Sequence, residues 1–437
     1  MSSTTPASNP QVPTPAGRKA VQNPLTLIMT IKSPEGFKAL SALLQQIQSA
    51  PPDKNPIRAA LDKLKTVHFA RFFVINAAFD PHGHYLEPKL VFLADVDGPI
   101  DPFLRQFATD AIDPIFEHCV GYSAPDRLNF LRARQVDTPA NYVNTRGRTV
   151  GQIHQEAVLH DDIQRFLDAH AADFRGAAPH RVRAAIQNFV RREESLAWAR
   201  QPLPPPDPKF MLGEGLHFAL VVGAAVVLTP VILLGLPIFL WFLRQHEQRD
   251  FARDIFPDET RIRAVATQED HGVQNPYSSG GLLKPGPFRR FTATLVLYGT
   301  NFLARHIFNH ADLIGVTTIH FGRWIFIDDK RRVIFASNYD GSLENYMDDF
   351  IDKIAWGLNI TFSNGVDYPK TNWLVLDGAR NEQVFKRFNL MHQLTSPFWY
   401  AGYQGLTALN IENNERIRAG LYGPLDDAAT RAWLRRF

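Results

Sequence analysis

The sequence predicts an α+β protein: two copies of one β-α-β-β-α unit on either side of a long apolar segment, with added helices. Three observations carry that reading. Leu216–Leu243, LHFALVVGAAVVLTPVILLGLPIFLWFL, runs for 28 residues without Asp, Glu, Lys or Arg. Roughly 20 helical residues are enough to cross a bilayer core about 30 Å thick. Strand-like and helix-like runs follow the same order in both flanks. One stretch also recurs: Thr66-Val67-His68-Phe69-Ala70-Arg71-Phe72 matches Thr318-Ile319-His320-Phe321-Gly322-Arg323-Trp324, and VFLADVDG (Val91–Gly98) matches VIFASNYDG (Val333–Gly341) downstream.

In chain order, residues 1–23 are rich in Ser, Thr and Pro and lack a signal-peptide core, so they read as a disordered tail. The first unit covers 24–148. LTLIMTI is its first strand, and Ser33 is placed to cap a helix with Pro34 at the first position and Glu35 in the first turn. The helix breaks at APPDKNP and resumes as IRAALDKLK. TVHFARFFVI and KLVFLADV are dense in β-branched and aromatic residues and read as strands. A helix interrupted near Pro114 follows, and a fourth strand is expected near RARQVDT.

Residues 149–208 read as a helical extension ending in the stiff linker QPLPPPDP, 209–246 as the membrane segment and 247–287 as a connection. The second unit, 288–437, opens on FRRFTATLVLYGTNFLARHIFNH, which is either strand-then-helix or all helix. It continues through TIHFGRWIFI and RVIFAS to a helix that Ser342 can cap.

Composition bounds the partners. A balance of 47 basic and 44 acidic residues, net charge +3, gives no concentrated basic face and therefore no nucleic-acid protein. The 32 Phe, 11 Tyr and 7 Trp suit aromatic-rich cores or a pocket for an apolar small molecule. One cysteine, Cys119, excludes an intramolecular disulfide or a cysteine-rich metal site and is expected to be a buried, inert thiol. There is no phosphate loop, dinucleotide fingerprint or nucleophile elbow.

The order β-α-β-β-α is most of a ferredoxin-like unit. Two such units in one chain resemble the dimeric α+β-barrel superfamily, whose paired sheets pack face to face around a ligand cavity. A pseudo-dimer of that kind needs both halves on one side of the bilayer. Leu216–Leu243 is therefore expected to form a re-entrant hairpin bent at Pro230, a monotopic anchor leaving both halves cytoplasmic. The alternative is a kinked single span with each half pairing in trans. The flanking arginines are balanced and orient neither arrangement.

Strand alternation puts His68 with Ala70 and Phe72, and His320 with Gly322 and Trp324, leaving room beside each imidazole for a ligand or for nothing more than a core hydrogen bond. Arg71 and Arg323 face the other side and need a partner there, for which Asp97 and Asp340 are the natural choices. The Asp-Gly ends of both repeats, Asp97-Gly98 and Asp340-Gly341, also resemble the GxxDG motif of dye-decolorizing-type peroxidases, with Ala94 and Ser337 in place of the first glycine. That resemblance implies haem, with His320 or His392 as ligand, His68 as a further cofactor contact, and Asp340 as acid/base group beside Arg323. His306 and His310, spaced i, i+4 with Asp312 nearby, form a weaker metal candidate, and His154, His160 and His170 read as solvated. Two function classes result: a membrane-associated oxidoreductase acting on an apolar substrate such as a lipid, or a non-catalytic membrane-anchored protein that binds an apolar ligand or a scaffold partner. Oligomeric state is not set by the sequence.

Overall fold

The computed structural model describes residues 22–203, 207–253, 256–267, 272–308 and 313–437. Residues 1–21 of the expected 1–23 tail and the linker prolines 204–206 lie outside these, whereas Gln22 and Asn23, also read as tail, open the first strand. Two four-stranded antiparallel sheets form the centre, so the α+β class with antiparallel sheets and one long apolar helix holds. The first sheet contains β1 (Gln22–Thr30), β2 (Val67–Ile75) and β3 (Lys89–Asp97); the second contains β5 (Gln274–Leu282), β6 (Ile319–Ile327) and β7 (Arg332–Asp340). Each has the same internal order, β1-β3-β2 and β5-β7-β6.

The fourth strands are exchanged. β4 (Ala140–Val143) belongs to the first half but pairs with β6, whereas β8 (Phe398–Ala401) belongs to the second half and pairs with β2. The chain touches the place expected for a fourth strand before it crosses. Gln135, inside the RARQVDT run, makes a single bridge to Leu27, and Gln393 makes the equivalent bridge to Ser279. It then leaves for the opposite sheet.

β5 lies in the stretch read as a connection. Its sequence, QNPYSSGGL, carries glycines where a strand usually carries β-branched residues, and this hid it. FRRFTATLVLYGTNFLARHIFNH does not begin with a strand: Pro287–His306 is helical throughout.

The helices cover the outer faces. α1 (Pro34–Ser49), α2 (Pro56–Leu64) and α3 (Ile100–Phe107) pack on the first sheet, where Leu40, Leu44, Ile57, Leu61, Phe103 and Phe107 join Phe72 and Phe92 in one core. Ser33 caps α1 by accepting from the Gly36 amide, as the sequence indicated. Between α1 and α2, Asn55 caps the second helix and ties back to Ile47. α4 (Val150–Ala169) and α5 (Pro179–Arg192) form a side layer with two helices from the last part of the chain, Ala408–Gly420 and Asp427–Leu434.

α6 (Pro208–Arg249) is one helix of 42 residues, long and apolar enough to cross a membrane by length and composition. The expected hairpin at Pro230 does not form. Pro230 and Pro237 sit inside the helix. Each removes one hydrogen bond and favours a kink, whereas a reversal would orphan several backbone groups in a stretch where Thr229 is the one polar side chain near Pro230.

α7 (Pro287–His306) runs beside α6 in the opposite direction and meets it only near the ends. At one end His217 bonds His306 at 2.8 Å, Phe218 stacks on Phe302, and Glu214 receives Arg305. At the other, Phe239, Phe242 and His246 meet Phe288. At 1.5 Å per residue the inner contacts, Phe218–Phe302 and Phe239–Phe288, are about 32 Å apart along α6 and about 21 Å apart along α7. Every residue from 218 to 238 is exposed. α6 is thus tied down at both ends and exposed between them, in the manner of an arch with Pro230 near its middle.

The foot of the arch is held firmly. The buried Glu247 carboxylate accepts from Thr371 Oγ1 (3.0 Å), the Trp373 amide (2.9 Å) and the Leu374 amide (2.8 Å).

α8 (Asp427–Leu434) and α9 (Ala408–Gly420) close the side layer, and α10 (Leu343–Phe362) and α11 (Glu382–His392) complete the outer face of the second sheet.

Candidate functional site

The repeated residues meet where the two sheets face each other. Alternation fails at both histidines because each strand is bulged there, between Val67 and Phe69 and between Ile319 and Phe321. A bulge rotates the side chain out of register. His68 and His320 therefore leave the face of Ala70 and Phe72, or Gly322 and Trp324. They turn into the seam, against Phe69, Phe321 and Tyr403. Both are fully buried.

Each histidine is bound to the aspartate that ends its hairpin. His68 Nε2 lies 2.8 Å from Asp97 Oδ1, and His320 Nε2 lies 2.7 Å from Asp340 Oδ1. The second carboxylate oxygens accept from the first amides of helices in the side layer, Val150 N at 2.8 Å and Ala408 N at 2.7 Å. Thr149 and Thr407 complete those helix starts with capping boxes. The Asp-Gly turns thus anchor one helix each. Tyr403 Oη lies 3.2 Å from His68 Nδ1. Thr145 stands at the equivalent place in the other copy, and His320 Nδ1 has no hydrogen-bond partner among the described residues.

The arginines do not pair with Asp97 or Asp340, since the histidines hold those carboxylates. They cross the seam instead. Arg323 donates to Leu25 O (2.9 Å), Ala94 O (3.0 Å) and Asp95 of the first sheet. Arg71 donates to Tyr277 O (2.7 Å), Ser278 Oγ (2.9 Å), Ser337 O (2.7 Å) and Asn338 of the second. Burial lowers the Arg71 guanidinium to about 9, with Asp95 opposing and Arg323 reinforcing the change.

The seam is full. Phe73, Ile75, Val91 and Leu93 interdigitate with Ile325, Ile327, Ile334 and Ala336. The void among Arg71, Asp95, Arg323 and Asn338 is about 10 Å³, no more than one water would need. A haem does not fit here. His320 and His68 are fully buried, and their Nε2 atoms are already committed to carboxylates. His392 is elsewhere, at the end of α11, bonded to Phe388 O and packed against the β5 backbone at Gly281. Asp340, Arg323 and His320 share the seam with His68, but His392 does not join them.

The open space lies on the other side of the second sheet. A pocket of about 300 Å³ sits between that sheet, α7 and α10. One aromatic from each strand makes its floor: Tyr142, Tyr277, Trp324 and Phe335. Val296, Gly299, Thr300 and Leu303 form one wall, and Trp356, Gly357, Ile360 and Thr361 the other. Among the described residues, no lining side chain is charged. The equivalent residues of the first sheet, Tyr400, Leu25, Phe72 and Phe92, lie in a packed core. Phe92 stacks on Phe107 at 5.0 Å, and Phe116 meets Phe72 at 6.0 Å. The same sheet face is closed in one copy and hollow in the other.

Outside the pocket, Phe291, Leu295 and Tyr298 form an exposed stripe on α7, with Trp356 of α10 also exposed. Sequence reasoning missed this site because it looked for what the copies share. The signal was where they differ, at Phe72 against Trp324 and Leu25 against Tyr277.

His154 bonds Gly402 O at 2.8 Å from an exposed position, and Cys119 is buried as expected. His306 is taken up by His217, while His310 and Asp312 lie outside the described residues. Among the described residues, no three His, Cys, Asp or Glu side chains gather as a metal group. No family model matches the chain, and no curated protein matches it.

Proposed function

We propose that this chain is a monotopic membrane protein that holds an apolar ligand in the pocket between α7, α10 and the second sheet. The observation that carries the reading is the contrast between copies: one fold unit keeps this face solid, and its partner hollows it beside the apolar arch. At about 300 Å³ the pocket is at the lower end of small-molecule sites, and its lining is the apolar kind that such sites use. The exposed α6 residues and the Phe291–Leu295–Tyr298 stripe on α7 give a bilayer one apolar surface to receive. Because both ends of α6 return to the same body, the arch dips into one leaflet and the two halves stay on one side.

The strand order β1-β3-β2 in each half, with a bridge at the fourth-strand place, supports reading the halves as ferredoxin-like units whose fourth strands have been traded. In this proposal the seam residues His68, Asp97, Arg71, His320, Asp340 and Arg323 hold the pseudo-dimer together, and ligand binding belongs to the outer pocket. This favours the binding protein over the haem-dependent oxidoreductase.

The test is organic extraction and mass spectrometry of protein purified in lipid nanodiscs, wild type against Gly357→Phe. A Cβ at Gly357 meets only Ile354 Cβ at 3.8 Å, so a larger side chain enters the slot without striking backbone. A small apolar compound that accompanies the wild type and is lost from the variant supports the reading. Equal small-molecule content in both would overturn it.

A further inference from the structure

Beside the foot of α6 the second half carries a small hairpin that the first half lacks. Gln135 lies 38 positions after Asp97, whereas Gln393 lies 53 positions after Asp340. The longer interval includes Thr371-Asn372 paired with Leu376-Asp377, and the corresponding interval of the first copy holds no strand. The tip reads Trp373-Leu374-Val375 and runs on into Leu376, four apolar residues in succession.

This tip is built against local preference. Trp373 and Leu374 both hold left-handed backbone, with φ of +54° and +66°. Glycine or asparagine sits easily in that region, and a bulky apolar residue does not. The fastening to α6 does not call for these side chains. Glu247 accepts from the Trp373 and Leu374 amides and the Thr371 hydroxyl, and Arg244 donates to Asn372. Glycine at both tip positions would offer the same amides with less strain. Yet Trp373 is 47% exposed and Leu376 44%, with the Arg244 guanidinium over the indole at 5.8 Å from its centre.

The place of the tip along α6 says what covers it. The charge-free stretch ends at Leu243. Glu247, which grips the tip, is four residues further on, about 6 Å along the helix. The polar zone flanking a bilayer core is roughly 5–7 Å deep on each side. The tip therefore lies at headgroup depth whether α6 dips or spans. Tryptophan concentrates at that depth because its ring is apolar and its N–H polar. Trp241, 58% exposed, stands at the same end of α6, less than one turn before Arg244.

We infer that the hairpin 371–377 is a second membrane contact, seating Trp373 and Leu376 in the interfacial zone of the leaflet that receives α6. This rests on α6 being a membrane segment and is independent of the pocket. The strained turn then has a use. Its amides are held inward by Glu247 while its bulky side chains stay outward, where lipid covers them.

The experiment attaches the fluorophore NBD, which brightens in apolar surroundings, to single cysteines in the full chain. The positions are Trp373→Cys and Leu376→Cys at the tip, Leu233→Cys in the charge-free stretch, and Lys63→Cys, exposed on α2 of the first half. Cys119 is buried and is left in place. Each protein is reconstituted in phosphatidylcholine vesicles containing lipid with a nitroxide near the headgroup or near the chain end. The expected result at 373 and 376 is blue-shifted emission and loss of most of the fluorescence to the headgroup-proximal nitroxide. Leu233 is quenched by lipid as well, and Lys63 by neither nitroxide. In the double variant Trp373→Asn, Leu374→Gly, the label at 376 loses that quenching. Quenching at Leu233 with none at 373 or 376 overturns the hairpin inference and leaves α6 in the membrane. No quenching at Leu233 overturns the membrane reading itself. Undiminished quenching at 376 in the double variant overturns the claim that the tip side chains seat the hairpin.

Discussion

Asp95 and Asn338 occupy equivalent places in the two sheets, opposite Pro24 and Pro276, and each receives the arginine that reaches across from the other sheet. Only Asp95 is charged, so one carboxylate serves two buried guanidinium groups. Asp95→Asn leaves both cations without a counter-ion, and removing one member of a buried pair costs about 3–5 kcal/mol. Asn338→Asp supplies the missing charge. Urea unfolding is expected to show a large loss for the first variant and a gain for the second. A gain from Asp95→Asn would refute the crossed-arginine account.

The His320–Asp340 pair is assigned to the fold. His320→Ala opens a cavity in the seam and strips one partner from Asp340, so the melting temperature should fall clearly, by the equivalent of about 2–4 kcal/mol. The small apolar compound carried by the folded fraction should match wild type. A variant as stable as wild type but unable to bind would move the site to the seam.

Cys119 is buried in the core of the first half, and burial pushes its thiol up to about 12, with Lys32 and Arg134 opposing weakly. A thiol raised in this way is protonated, hence unreactive, at every pH below that value. At pH 9 the thiolate fraction of the folded protein is about a thousandth. Iodoacetamide should leave it untouched between pH 7 and 9, and react promptly once urea unfolds the chain. Prompt alkylation of native protein at pH 8 would contradict this burial.

The arch makes a statement about sidedness. Single cysteines at the exposed positions Gln201 and Glu344, before and after α6, should both react with a membrane-impermeant maleimide added to one side of reconstituted vesicles, and to equal extents. Labelling from opposite sides would establish a span and dismantle the arch. Glu247→Ala removes the acceptor for Thr371, Trp373 and Leu374. It is expected to increase proteolytic cutting near residue 250 without releasing the protein from vesicles.

The strands β2, β3, β6 and β7, the capped helices and the apolar segment were legible because each has a local cause: β-branched runs, Ser33 and Ser342 caps, and a charge-free stretch. The exchange of β4 and β8 was not, although its signature was present. Gln135, Pro139, Tyr142, Gly147 and Thr149 recur as Gln393, Pro397, Tyr400, Gly405 and Thr407, and Gln22-Asn23-Pro24 recurs as Gln274-Asn275-Pro276. A repeat reveals equivalent places, but it cannot reveal which sheet an edge strand joins, since either edge satisfies the same hydrogen bonds. The bulges at the histidines were hidden for a related reason: alternation assumes an unbroken register, and the insertion point is fixed by tertiary packing. The pocket depended on volume, which no pattern of residue types records.

The traded strands also set an order of assembly. β4 leaves the ribosome long before β5, β6 and β7 exist to receive it, and the first sheet waits for β8, near the far end of the chain, to cover β2. Neither half can be finished during its own synthesis. The two sheets are completed together, late, and only after the apolar helix between them has emerged. The chain is a clasp that closes once, and it cannot be cut into two working halves.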